Sequence, residues 1–340
     1  MRSRRAIRCR RALCDKANQS MIPSGVRSAR TAARRTHSLG SRNASAILKE
    51  LAMELGVTAV MLPDLDFDEQ LALMRECGVK YYQIRPRVIP AEQAGKPWNP
   101  WGNHKFDLTP QRLVKEGKAI TKQVRDAGLE LWGTLPHLSI ETDADEVKMH
   151  MEGAAAAEAG AARCGMPRYP DGPFDYEDFL KKIVAGYERT VELAKPFGIK
   201  LIVETHCLSF ATSPALAWNI CRHFDPAQVG VIFDMANFTR EGEITPHLAV
   251  SVLRDYIDCV HIGGGRRLVT GVDEFGCNVI ENQMAPLNQS DLYLPPWLKA
   301  LNDAQLGAPL IIEDFTPNMS GADRLRDSAR VLQRALAGLG

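Results

Sequence analysis

The chain has 340 residues, of which 45% are hydrophobic and 24% charged, and its formal net charge is +1. This composition provides enough apolar side chains for one large core, and no segment approaches the roughly 20 apolar residues of a membrane span. The near-neutral charge gives the chain no general attraction for nucleic acid, so we expect neither a nucleic-acid partner nor a membrane. Eight cysteines without a CxxC pair indicate reduced thiols and favour a cytoplasmic enzyme over a disulfide-stabilised or zinc-ribbon protein.

The first 43 residues differ from the rest of the chain in their charge. They contain eleven Arg and Lys16 against a single acidic residue, Asp15. An Arg-rich, acid-poor composition is typical of a disordered tail or an organellar targeting segment, and a misassigned translation start would also explain it. We therefore predict that residues 1–52 are a basic, disordered tail outside the domain formed by residues 53–340.

From about residue 56, short apolar segments that predict buried strands alternate with segments of helical length. Thr109 and Pro110 have the N-cap and first-turn positions expected at the start of a helix. Between the second strand and that helix lies a long loop, residues 88–109, and loops of this length are usually functional or disordered. The predicted strands of this half are 57–62, 80–85, 129–135 and 161–164, and the predicted helices are 67–77, 110–127, 145–159 and 176–195.

The second half of the chain repeats the alternation. Its predicted strands are 201–203, 229–233, 256–260 and 309–312, and its predicted helices are 214–223, 246–255, 295–304 and 321–339. Eight strand–helix units predict an α/β fold, a (β/α)8 TIM barrel that forms a single domain. The insert 264–294 follows the seventh strand, which places it on the C-terminal face of the barrel.

Each predicted strand of the second half ends in a residue that can bind a divalent metal ion. For one such residue alone, a helix N-cap or another structural role is the simpler explanation, but four in succession favour a shared site. The C-terminal ends of barrel strands lie on one face, so these side chains should converge. Three carboxylates and one imidazole favour Mn²⁺, with Mg²⁺, Co²⁺ or Zn²⁺ as alternatives. The four residues are Glu204, Asp234, His261 and Glu313.

With these four residues in this order, residues 56–339 resemble the xylose isomerase-like TIM-barrel superfamily of sugar phosphate isomerases and epimerases, and within it the ketose 3-epimerases. The resemblance implies that the four residues hold one metal ion and that Glu204 and Glu313 are also the catalytic acid–base pair. It further implies that Arg267, six residues after His261, binds substrate oxygens.

Three positions depart from the epimerase pattern. Asn237 stands where the epimerases have a His three residues after the metal-binding Asp. Residues 263–265, all Gly, stand where a charged residue is usual, and Phe210 lies in the region that carries a second Glu in the epimerases. These departures leave the substrate open. The glycines lack the GxGxxG spacing of a dinucleotide loop. They instead predict that the backbone comes close to a substrate or makes an unusual turn.

Several residues beside the predicted metal site are candidates for contact with a substrate, although solvated or structural roles are the alternatives. Trp98 and Trp101, in the long loop, could form the wall of a sugar pocket, whereas Trp132 lies within a strand and could belong to the core. The other candidates follow predicted strands on the same face; they are Arg85, His137, His206 and Asn237.

The leading hypothesis is a metal-dependent isomerase or epimerase that acts on a sugar or a related hydroxy-carbonyl compound through an enediolate. The resemblance leaves a dehydratase of an inosose or dehydroshikimate as the main alternative. An endonuclease IV-like DNA-repair enzyme is disfavoured, because the extra His ligands of a three-metal cluster are not found in the expected places. A non-catalytic sugar-binding barrel would not need two ionisable Glu. The resemblance also implies a homodimer or a homotetramer.

Overall fold

The computed structural model describes residues 53–241 and 244–339. The predicted basic tail, residues 1–52, lies outside the described residues. No helix in the described part of the chain is long and apolar enough to cross a membrane. The cytoplasmic location and the homodimer or homotetramer stay predictions.

Eight parallel strands close into a barrel, as the alternation of strands and helices predicts. Around the barrel their order is β1, β10, β7, β6, β5, β4, β3 and β2, and β1 pairs with β10 through Leu55 opposite Leu310. The remaining two strands, β8 and β9, form a separate antiparallel pair. The strands are β1 (Leu55–Thr58), β2 (Tyr81–Ile84), β3 (Glu130–Thr134), β4 (Ala161–Arg163), β5 (Lys200–Glu204), β6 (Val229–Asp234), β7 (Ile257–Ile262), β8 (Gly265–Val272), β9 (Asn278–Met284) and β10 (Leu310–Ile312).

The helices cover the outside of the barrel, and most of them begin at a capping side chain or a proline in the sequence. At the predicted cap of the second helix, the side chain of Thr109 accepts a hydrogen bond from the backbone N of Arg112 at 3.1 Å. The helices are α1 (Phe67–Glu76), α2 (Pro110–Asp126), α3 (Ala144–Ala156), α4 (Tyr176–Ala194), α5 (Pro214–Cys221), α6 (Met235–Glu241), α7 (Pro246–Leu253), α8 (Leu294–Ala304) and α9 (Gly321–Ala337).

The structure differs from the sequence prediction at β1 and α6, and the strands β8 and β9 were not predicted either. The first strand ends at Thr58 instead of at residue 62, because a 3₁₀ turn, Ala59–Met61, follows it. The Thr58 side chain caps this turn by accepting a hydrogen bond from the backbone N of Val60. Helix α6 was not predicted, and it directly follows Asp234.

The apolar side chains form two layers. The larger layer fills the space between the strands and the surrounding helices. The smaller layer fills the inside of the barrel, as in other TIM barrels; its members include Leu135, Ile202, Ile232, Cys259 and Ile311. This inner layer supports the residues at the C-terminal ends of the strands from below.

The insert after β7 forms a β-hairpin. Its strands β8 and β9 pair from Gly265 opposite Met284 to Val272 opposite Asn278. The hairpin follows the C-terminal end of β7, as the sequence predicts. Most of its side chains are exposed, including Phe275, whose relative exposure is 81%.

Candidate active site

The four predicted metal ligands meet at the C-terminal mouth of the barrel. Their ligand atoms all lie within 4.8 Å of one another. Three of the side chains are buried and that of Glu313 is nearly so. We call this group, Glu204, Asp234, His261 and Glu313, the carboxylate–histidine cluster. Its role in metal binding stays a prediction, but the convergence on which that prediction depends is present.

The ring of His261 is held at both nitrogens. Its Nδ1 lies 3.0 Å from Oε2 of Glu313 and 3.6 Å from Oε1 of Glu204. Its Nε2 donates a hydrogen bond to Oε1 of Gln83 at 2.9 Å. The side-chain N of Gln83 donates to Sγ of Cys259, so it is the oxygen of Gln83 that faces His261. A proton kept on Nε2 leaves Nδ1 available to bind a metal ion.

Gln83 is not among the predicted site residues, although the sequence contains a signal for it. Gln83 is the only amide in the apolar strand β2, and it is fully buried. A buried polar side chain needs a hydrogen-bond partner, and in a barrel that partner can come from across the interior. Without the register of the strands, the partner could not be identified.

Asp234 is oriented by the residues that follow it. The side-chain N of Asn237 donates to Oδ2 of Asp234 at 2.5 Å, and the backbone N of Asn237 donates to Oδ1 at 3.0 Å. The backbone N of Asp234 itself donates to the hydroxyl of Thr205 at 2.9 Å. Asn237, a predicted substrate contact, thus fixes the side chain of Asp234. It also lines the cavity above the carboxylate–histidine cluster.

The electrostatics of the carboxylate–histidine cluster suit a bound cation. Burial, together with the negative charges of Glu313 and Glu204, raises the pKa of Asp234 to about 7. Burial by itself lowers the pKa of His261, but the same two glutamates raise it to about 9. Three carboxylates at such distances repel one another unless a positive charge lies between them. The donor set therefore fits a divalent ion that prefers oxygen ligands.

Glu204 also forms an ion pair that the sequence did not indicate. Nη1 of Arg163, at the end of β4, lies 2.5 Å from Oε2 of Glu204. Burial opposes ionisation of Glu204, but the positive charges of Arg163 and His261 outweigh it and lower the pKa of Glu204 below its ordinary value. The strand β4 is short and its sequence pattern weak, which is why Arg163 was not recognised.

A cavity opens above the carboxylate–histidine cluster, and most of the predicted substrate contacts line it. Trp101 lines it too, with its ring 4.8 Å from that of Phe315. Trp98 lies exposed in the same loop, whereas Trp132 packs against the inner layer of the barrel. The predicted contacts that line the cavity are Arg85, His137, His206 and Asn237.

Arg267 is the predicted contact that the structure does not bring to this cavity. It is exposed on β8, where its backbone N donates to Oδ2 of Asp291 at 2.6 Å and its side chain lines a separate small pocket. This small pocket shares Arg240 with the cavity, and the role of Arg267 in substrate binding stays a prediction. Arg240, from the unpredicted helix α6, lines the cavity, with Nη2 2.8 Å from Sδ of Met284.

The glycines after β7 allow two close backbone contacts. A Cβ on Gly263 would lie 2.3 Å from the backbone O of Glu313, and one on Gly264 would lie 1.9 Å from the backbone O of Ala285. A Cβ on Gly265 would meet only an ordinary contact, 3.5 Å from the backbone O of Gln283. Gly263 and Gly264 also line the cavity, and a close approach of their backbone to a substrate stays a prediction.

Residues 50–335 match the protein family described as xylose isomerase-like TIM barrel. None of the curated protein sequences compared with the chain matches it. Solved structures with the same fold include three of low sequence identity, and at such identities the likeness shows the fold alone. An L-ribulose 3-epimerase is 14% identical, with a TM-score of 0.60, over 84% of this chain and 95% of its own.

The second is the probable 3-DHS dehydratase AsbF from Bacillus anthracis, which is 13% identical, with a TM-score of 0.63, over 83% of this chain and 99% of its own. The third is a xylose isomerase-like TIM-barrel protein from Mycobacterium smegmatis in complex with magnesium. It is 14% identical, with a TM-score of 0.59, over 86% of this chain and 99% of its own.

Proposed function

Since the chain belongs to the xylose isomerase-like TIM-barrel family, we propose that it is an isomerase or epimerase that requires a divalent metal ion. Its substrate is a sugar or a related hydroxy-carbonyl compound. The observation that carries the proposal is the carboxylate–histidine cluster, with four ligand atoms within 4.8 Å at the barrel mouth. Mn²⁺ is the proposed ion, and Mg²⁺, which is bound in one protein of the same fold, is the first alternative.

All four residues of the carboxylate–histidine cluster have a proposed role in metal binding, and two of them also have one in proton transfer. All four side chains would hold the ion, which when bound would polarise the substrate carbonyl and stabilise negative charge on its oxygen. Glu204 and Glu313 come from β5 and from the end of β10, which β6 and β7 separate in the barrel. One of them takes the proton from the carbon next to the carbonyl, and the other returns a proton to the enediolate.

Neighbouring residues prepare these groups for their roles. Arg163 favours the ionised form of Glu204, which makes Glu204 the carboxylate ready to accept a proton. Gln83 holds the ring of His261 so that Nδ1 faces the carboxylates. The aromatic side chains of Trp101 and Phe315 line one side of the cavity, where they can pack against the C–H groups of a sugar.

A dehydratase would begin with the same proton abstraction and then expel a β-hydroxyl group. One protein of the same fold is a probable dehydratase and another an epimerase. The two outcomes differ in their products, because a dehydratase loses water and an epimerase returns the proton. Product analysis therefore distinguishes them.

The test is proton exchange in D₂O, followed by NMR with Mg²⁺ restored to metal-stripped protein. Ketoses, inososes and keto acids are offered in turn. We expect deuterium to enter next to the carbonyl only when the metal is present. Glu204→Gln should abolish the exchange, whereas Glu130→Gln, at the exposed start of β3, should leave it unchanged. Exchange that persists in a folded Glu204→Gln variant would contradict the assigned role.

A further inference from the structure

The cavity contains more positive than negative side chains. Four arginines line it, whereas its only carboxylates within the described part of the chain belong to the carboxylate–histidine cluster. Arg163 is paired with Glu204. A divalent ion in the cluster would add two further positive charges and make the excess larger. The four arginines are Arg85, Arg87, Arg163 and Arg240.

Arg85 and Arg87 are half-buried and contact backbone oxygens instead of acids. Nη2 of Arg85 donates to the carbonyl of Gly102 at 3.0 Å, and Nη1 of Arg87 donates to that of Trp101 at 2.5 Å. Within residues 53–241 and 244–339, no carboxylate forms an ion pair with either guanidinium. Burial and the neighbouring charge of Arg87 lower the pKa of Arg85 to about 9, and the negative charge of Asp107 offsets them only in part. Burying a charge without a counter-ion is costly, so this arrangement favours an anionic ligand.

The cationic groups face a common space. Burial, followed by the positive charges of Arg163, Arg87 and Arg85, lowers the pKa of His137. Arg85 and Arg87 follow β2 and His137 follows β3, whereas the carboxylate–histidine cluster is formed by β5, β6, β7 and the end of β10. The cavity therefore has the carboxylate–histidine cluster on one side and Arg85 and Arg87 on the other.

We propose that the substrate carries an anionic group, a carboxylate or a phosphate, which binds to Arg85 and Arg87 beside His137. This inference rests on the proposed function, because it assigns the other end of the same molecule to the carboxylate–histidine cluster. A guanidinium has five N–H donors in a planar fork, so each arginine can bind the anion and keep its carbonyl partner. Because these carbonyl partners belong to the 88–109 loop, the bound anion would also hold this loop, with Trp101, in place.

The first experiment is calorimetric titration of the full chain, with Mg²⁺ present, using inorganic phosphate and malonate as probes. We expect Arg87→Gln to weaken binding of at least one probe by about tenfold or more, the loss of one charge-assisted contact. The matched control is Arg222→Gln, which removes an exposed arginine just after α5, outside the cavity, and should leave the affinity unchanged. Equal affinity of the wild type and Arg87→Gln, or no binding of either probe, would overturn the inference. Tighter binding of phosphate would assign a phosphate group, and tighter binding of malonate a carboxylate.

The second experiment separates this inference from the proposed function. Deuterium exchange is measured on neutral ketoses, on the corresponding sugar phosphates and on keto acids. We expect exchange on one anionic class, with kcat/KM reduced in Arg87→Gln and unchanged in Arg222→Gln. Equal kcat/KM on neutral ketoses, unaffected by Arg87→Gln, would overturn the anionic substrate and leave the isomerase intact. Arg87-dependent binding of phosphate or malonate without exchange on any compound would support the anion site and contradict the isomerase.

Discussion

Gln83 and His261 face each other across the inside of the barrel, with Oε1 of Gln83 2.9 Å from Nε2 of His261. They are 178 residues apart in the chain, and both are almost completely buried. The contact selects the His261 tautomer that presents Nδ1 to Glu204 and Glu313. A side chain in the second strand thereby controls the geometry of a ligand in the seventh.

Replacing Gln83 with Met should weaken metal binding without removing a ligand. The variant keeps the length of the side chain but loses the acceptor, so the His261 ring is no longer held. Partners of this kind typically contribute about 10–100-fold to metal affinity. Calorimetric titration with Mn²⁺ measures the change. Gln83→Glu retains an acceptor oxygen and should bind the ion as well as the wild type does. An unchanged affinity in Gln83→Met would show that the contact does not position the ring.

Removing the charge of Arg163 should shift the pH dependence of catalysis. Arg163 lowers the pKa of Glu204, so in Arg163→Gln the pKa of Glu204 should rise. The acid limb of kcat/KM, below which the proposed base is protonated, should then move upward by about one pH unit or more. Arg163→Lys keeps the charge and should shift the limb less. An acid limb that does not move in Arg163→Gln would mean that a different group limits the reaction in acid.

Replacing Gly263 or Gly265 with Ala compares a crowded glycine with one that has room for a Cβ. In Gly263→Ala the new methyl group would lie too close to the backbone O of Glu313, which must move. Gly265→Ala meets no such contact. We therefore expect Gly263→Ala to destabilise the protein by about 1–3 kcal/mol and to weaken metal binding, and Gly265→Ala to do neither. Thermal unfolding and Mn²⁺ titration provide the two measurements. Equal effects of the two substitutions would contradict the steric argument.

His150 should make the protein sensitive to acid. It is 3% exposed in α3, its Nδ1 has no partner among the described residues, and burial lowers its pKa to about 4. Between pH 6.5 and 4 the unfolded chain binds a proton at this position and the folded chain does not, so stability falls as the pH falls through this window.

The variant His150→Leu should lose that dependence. Relative to the wild type, its free energy of unfolding should rise by up to about 2 kcal/mol between pH 7 and pH 5. Urea unfolding of metal-free protein at the two pH values measures this difference, and His223→Leu, at an exposed position, serves as the control. If the wild type and His150→Leu lose the same stability in acid, His150 is not the group responsible.

The periodicity of the sequence was sufficient for the barrel, because most buried strands are apolar segments and most helices begin at a capping residue or a proline. It also located the carboxylate–histidine cluster, because parallel strands must end on one face. It could not locate Gln83 or Arg163, whose roles depend on which strand residues point inward and on what lies across the barrel. The position of Arg267 in the hairpin could not be obtained either, because a count of residues after His261 contains no information about the direction of a hairpin.

The pairing of β1 with β10 has a consequence for the order in which the protein folds. Leu55 in β1 pairs with Leu310 in β10, which is synthesised much later. The barrel therefore cannot close until the last strand of the domain has left the ribosome. The residue that follows this strand, Glu313, also completes the carboxylate–histidine cluster. Closure of the seam and assembly of the cluster therefore occur at the same point in synthesis, and a nascent chain that stops before β10 has neither.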